Sequence, residues 1–81
     1  SFEELFVTSG GFGVSRVDVR RNSSLIEKTL LESGLRKRGI LVLAIERTGE
    51  TLANPEPSQK IKLGDTLVCF GHLEKVKEIY T

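Results

Sequence analysis

GLRKRGILVLAIERTGE, residues 34–50, sets three consecutive cations, Arg36, Lys37 and Arg38, directly before the most apolar run of the chain. That run, ILVLAI at residues 40–45, has no polar alternation, the pattern of a central strand covered on both faces. Thr48-Gly49 behind it is a two-residue turn signal, so residues 50–53 return as a short second strand. Gly34 in front is a left-handed cap for a preceding helix. The stretch therefore reads helix, strand, turn, strand, which frames a small sheet domain. Its cationic knot has three readings: a nucleic-acid patch, a solvated turn, or the rim of a pocket for a small anion.

Bulk properties narrow these. A chain of 81 residues makes one small domain. Such a chain buries only about 60% of its unfolded surface, so a partner subunit would add stability. Lys and Arg total 12 against 11 Asp and Glu, a net charge of +1. That balance argues against a general polyanion binder, and any anion site must be local. The lone cysteine, Cys69, lies in the run TLVCFG and reads as a small buried hydrophobe. One cysteine excludes a disulfide framework, no zinc spacing accompanies it, and a reducing, cytoplasmic setting fits. No run approaches the roughly 20 apolar residues of a membrane helix. The chain lacks Met and begins Ser-Phe-Glu, which points to an excised or processed segment of a larger protein.

Along the chain, SFEELF reads as a helical turn or the end of a connector, broken by GG and FG, so residues 1–12 are expected to be a lead-in outside the core. GVSRVDVR alternates, with Val17 and Val19 on one face and Arg16, Asp18 and Arg20 on the other, as in a half-buried strand. NSSLIEKTLLESG carries two overlapping capping boxes, Ser24 with Glu27 and Thr29 with Glu32, which cannot both start one helix. The second predicts a very short helix at residues 30–33. Pro55 and Pro57 keep ANPEPSQ out of any central strand and make it a surface loop. A turn at Gly64-Asp65 leads into TLVCFG, the second core strand, and HLEKVKEIY closes as an amphipathic helix. The expected class is a small α+β domain of order β-α-β-β-β-α with a mixed or antiparallel sheet.

In that order, residues 10–79 resemble the TrkA-C domain, the C-terminal lobe of RCK domains that regulate potassium conductance. VDVRRNSSLIEKTLLESGLRKRGILVLAIER is similar to the family's first strand, its L-x-G-K-T-L segment, its L-R step and its v-L-A-I-x-R strand. NPEPSQKIKLGDTLVCFGHLEKVKEI is similar to its Pro-containing loop, its L-x-x-G-D-x-L-x-v-x-G strand and its closing helix. Each piece is common alone; the ordered set is specific. Glu27 departs from the pattern, standing where the family usually has Gly, and leaves open whether the backbone makes the family's turn there. The resemblance assigns residues 13–81 to a regulatory domain rather than an enzyme. It implies a homodimer on the cytoplasmic side of a membrane cation channel or transporter, and several such lobes bind cyclic di-AMP between subunits. The alternative is a ligand-free dimerisation module. No resident cofactor is implied.

The resemblance also indicates a candidate binding set: Leu35, Arg36, Ile40, Val42, Asn54 and Pro55. In relatives the step matching Leu35 and Arg36 supplies an apolar contact to a base and a guanidinium to a phosphate, whose oxygens match that rigid fork of donors. Ile40 and Val42 offer an apolar bed for an adenine face, and a two-fold axis would supply a second copy of each. Asn54, Pro55 and Glu56 correspond to the loop that closes over the ligand, and they equally fit a stiff connector. Arg20, Arg21 and Asn22 form a smaller basic corner at a strand end. Gly10-Gly11-Phe12-Gly13 lacks both the Lys-Ser/Thr of a phosphate loop and the spacing of a dinucleotide fingerprint. His72, the sole histidine, fits a capping or exposed role. No acid–base pair, nucleophile motif or metal spacing is present. Nucleic-acid binding suits the LRKR run alone, without aromatic platforms, and no nucleic-acid partner is expected.

Overall fold

The computed structural model describes residues 2–80. It contains β1 (Phe2–Val7), β2 (Phe12–Asp18), α1 (Leu30–Ser33), β3 (Leu41–Arg47), β4 (Glu50–Ala53), β5 (Thr66–His72) and α2 (Leu73–Tyr80). Short 3-10 turns at Ser9–Gly11 and Arg36–Arg38 join the first two strands and lead into β3. The five strands form one antiparallel sheet in the order β1-β2-β5-β3-β4. This is the expected α+β class. The sheet order, which no local pattern reveals, makes β5 the central strand.

Alternation works as elementary strand geometry requires. Ser15, Val17 and Val19 are buried, as are Leu67 and Cys69, all on one face of the sheet. Against that face packs α2, whose Val76 and Ile79, three residues apart, are both buried. Leu25, Leu35, Ile40 and Ile61 add to the core from the segments outside the sheet. Each such aliphatic side chain contributes about 1.5–3 kcal/mol on burial.

Four expectations change. Residues 2–7 are not a lead-in: they form an edge strand antiparallel to β2, with Phe2 packed against the core and edge-on to Tyr80. Five of the six residues are exposed, so the segment carries no apolar alternation to betray it. The Ser24–Glu27 capping box does not form; residues 20–28 are a run of turns and Glu27 adopts a left-handed φ of 68°. The Thr29–Glu32 box does form, Thr29 N–H donating to Glu32 Oε1 at 2.9 Å and Glu32 N–H to Thr29 Oγ1 at 3.1 Å. Gly34 caps the single turn in the left-handed region.

The run at residues 40–45 is covered on one face only. Leu41 is 48% exposed and Leu43 39%. A bulge between Val42 and Ala44 inserts one residue, so Val42 and Ile45, three apart, both face the core opposite Cys69 and Leu67. The reverse face of the sheet carries Phe6, Val14, Phe70 and Leu41 in register across four strands, with no described element over them. The fourth change concerns Gly64-Asp65. Beyond making the turn, Asp65 is 1% exposed and its carboxylate accepts from Arg47 Nε and Nη2, each at 2.8 Å, and from the Lys62 N–H at 2.8 Å. The hairpin at Thr48-Gly49 is as expected, both residues having positive φ, the pattern of a type I′ turn.

Candidate functional site

One shallow groove collects most of the residues singled out from sequence. It holds about 110 Å³ and is lined by Leu30, Leu31, Leu35, Arg36, Ile40, Leu41, Val42, Pro55 and Pro57. Leu35 and Ile40 form its buried floor, 2% exposed each, and Val42 and Pro55 are half-buried along it. Asn54 does not line it. That residue is exposed, sits in the left-handed region at φ 49°, and donates its N–H to Leu43 O at 2.8 Å, ending the β3–β4 ladder. Leu30, Leu31, Leu41 and Pro57 were not among the expected residues. Pro57 was legible as the second proline of the loop, whereas Leu31, 75% exposed, shows its place only once the loop is folded against it.

The cationic knot divides. The 3-10 turn Arg36–Arg38, closed by Gly39 with φ 79°, puts Arg36 and Arg38 in different surroundings. Arg38 Nη2 reaches Glu78 Oε1 on α2 at 3.3 Å, and Lys37 is exposed outside the groove lining. Arg36 alone stands at the groove, exposed and with no carboxylate partner among the described residues. An unpaired guanidinium at the lip of an apolar recess can hold a phosphate or carboxylate by a two-pronged, charge-assisted contact.

The groove has two walls of different origin. The turn after Leu35 and the start of β3 make one. The other is a short two-stranded strap: Glu27 N–H donates to Ile61 O (2.7 Å), Ile61 N–H to Lys28 O (2.8 Å), Leu30 N–H to Gln59 O (2.9 Å) and Leu31 N–H to Pro57 O (3.0 Å). The free N–H groups at the start of α1 are thereby used up by the proline loop.

The remaining candidates have local explanations. Arg20 lies 4.3 Å from the Tyr80 ring centre, a cation–π contact. His72 Nδ1 accepts the Glu74 N–H at 3.3 Å near the start of α2, a capping role. Burial pushes the Cys69 thiol up to about 12, so it is not a nucleophile at neutral pH. Among the described residues no group of three His, Cys, Asp or Glu could hold a metal, and no helix is long and apolar enough to cross a membrane.

Several known proteins are similar to this chain in sequence or fold. A segment of a probable alpha-L-glutamate ligase from Rhodopirellula baltica is 38% identical over 69 residues, covering 85% of this chain and 17% of the ligase. Potassium channel protein 1 of Methanocaldococcus jannaschii is 34% identical over 68 residues, covering 78% of this chain and 20% of the channel. The chain thus spans a fifth or less of the curated relatives described. Among solved structures, the RCK_C domain dimer of S. agalactiae BusR in complex with c-di-AMP superposes with a TM-score of 0.70 at 23% identity, over 80% of this chain and 91% of that one. BusR is also solved with its busAB-promoter DNA, where the match spans 34% of the BusR chain. The TrkA-C domain model matches residues 14–81, from the second strand of the sheet through the closing helix, and this chain belongs to the TrkA-C domain family.

Proposed function

We propose that this chain is a ligand-sensing regulatory domain, not an enzyme, that pairs with a second copy and holds a small anionic nucleotide between the two grooves. The observation that carries this is Arg36, a guanidinium with no carboxylate partner among the described residues, at the edge of a recess floored by Leu35 and Ile40. At about 110 Å³ the groove of one protomer is well short of the roughly 300–1,000 Å³ of a complete ligand pocket. A symmetric pair would double both the apolar bed and the cations, which suits a symmetric dinucleotide. Cyclic di-AMP is the first candidate, supported by the BusR dimer that binds it. Leu35, Arg36, Ile40, Val42 and Pro55 are the proposed contacts; Asn54 would join them only if its loop closes.

The curated relatives differ in kind, a ligase and a potassium channel. A module recurring on such different bodies fits regulation of an attached partner, and for this chain we place that partner among membrane cation channels or transporters, with the domain on the cytoplasmic side. A ligand acts on such a partner only through its differential affinity for two conformations. Nucleic acid is not a proposed partner. The pairing of Arg38 with Glu78 and the stacking of Arg20 on Tyr80 support that reading.

Titration calorimetry and thermal shift with cyclic di-AMP test this. Binding should raise the melting temperature, and Arg36→Ala should weaken it at least tenfold, because a charge-assisted hydrogen bond contributes about 1.5–3 kcal/mol. Absence of heat at high micromolar ligand refutes the nucleotide assignment. The ligand-free dimerisation module would then stand, favoured by the uncovered row of Phe6, Val14, Phe70 and Leu41, with Phe6 61% exposed.

A further inference from the structure

We propose that Glu27 is a positioning residue for the groove, acting from the far end of the strap whose near end is the groove wall. This rests on the groove being the ligand site. Glu27 occupies a left-handed backbone, φ 68°, that L-residues with long side chains avoid. The reversal there sets residues 28–31 alongside residues 57–61, and the isolated bridge between Thr29 and Lys60 lies within that pairing. The Glu27 carboxylate then closes the pairing from outside. Lys62 Nζ donates to both its oxygens at 3.1 Å, and Lys60 Nζ lies 3.8 Å away. Both lysines belong to the strand of the strap that follows the proline loop. Leu31 and Pro57, the wall residues, are joined by the last hydrogen bond of the same strap. One side chain thereby brackets the two segments whose register sets where that wall stands.

Two effects of removing it point in opposite directions, which makes the role separable from simple stability. Glu27→Gly frees the left-handed backbone but discards the clamp, so the domain is expected to melt within a few degrees of wild type. Removing a negative charge should by itself favour an anionic ligand. A loss of affinity would therefore run against the charge change, as displacement of the wall predicts.

The test measures cyclic di-AMP affinity and amide exchange in wild type, Glu27→Gly, Glu27→Gln and the charge-swapped pair Glu27→Lys with Lys62→Glu. Expected are a threefold to fivefold weaker affinity in the two single variants and restoration in the swapped pair. Exchange at the Leu30 and Leu31 amides should quicken in the single variants while that of β5 does not. Unchanged affinity and exchange in Glu27→Gly overturn the proposal, as does a swapped pair no better than the single variants. If wild type binds no cyclic di-AMP, the groove assignment fails, and the exchange arm still decides whether Glu27 holds the strap.

Discussion

Replacing Arg47 by Met should cost this domain more than replacing its partner Asp65 by Asn, and the order follows from which survivor is trapped. Asp65 is 1% exposed and takes three hydrogen bonds at 2.8 Å, two from the Arg47 guanidinium and one from the Lys62 N–H. Arg47 keeps 30% of its side chain exposed and also donates to Lys60 O at 3.0 Å. Hydrogen bonding to Asp65 holds its guanidinium above the ordinary arginine value. Without Arg47, a carboxylate stays buried with one donor, at a cost of about 3–5 kcal/mol. Without the Asp65 charge, Arg47 can turn toward water, and the loss falls to about 2–3 kcal/mol, the upper range for a hydrogen bond to a charged group. At about 0.05–0.15 kcal/mol per residue, an 81-residue domain has only about 4–12 kcal/mol in total. Arg47→Met should therefore lower the melting temperature by at least about 12 °C. Urea titrations followed by far-ultraviolet circular dichroism, on both single variants and the double variant, give the coupling directly. A coupling below about 0.5 kcal/mol, or Asp65→Asn more damaging than Arg47→Met, would refute the claim that the pair is a buried, mutually dependent unit.

Two further outcomes follow from polar groups elsewhere. Ser15 is fully buried and its Oγ has no hydrogen-bond partner among the described residues, so Ser15→Ala should stabilise the fold by on the order of 1 kcal/mol in the same urea assay; destabilisation would show that the hydroxyl is satisfied. The Thr29 backbone N–H, and then its hydroxyl, hold the Glu32 carboxyl below its ordinary 4.5. Because the folded value is depressed, this contribution is present above the ordinary value and lost as pH falls through the folded one. Glu32→Gln should thus reduce stability at pH 7 and narrow the gap to wild type in acid. Parallel pH profiles for the two proteins would contradict it.

Much of this molecule was legible in local pattern. Val17 and Val19 against Arg16 and Asp18 announced a strand with one buried face. Thr29 and Glu32 offered one of two helix starts, Gly34 an end, Thr48-Gly49 a hairpin, and HLEKVKEIY an amphipathic closing helix. These signals lie within a few residues of each other, where backbone sterics and side-chain spacing act directly. The ordered motifs likewise gathered Leu35, Arg36, Ile40, Val42 and Pro55, which the fold does bring to one groove. What stayed hidden depends on contacts between distant segments. FEELFV is a strand because β2 offers it an edge, and an edge strand exposed on nearly every residue needs no alternation of its own. Glu27 takes a left-handed turn because residues 57–61 must be met, and Asp65 is buried because Arg47 arrives from another strand. The family's L-R step set Arg36 apart from Lys37 and Arg38, but that Arg38 is drawn to Glu78 on α2 appears only in the folded chain. The sequence by itself determined the elements and the family pattern. Only the tertiary structure decided strand order, the uncovered sheet face and the pairing of Arg38 with Glu78, because those follow from chain segments tens of residues apart competing for the same neighbours.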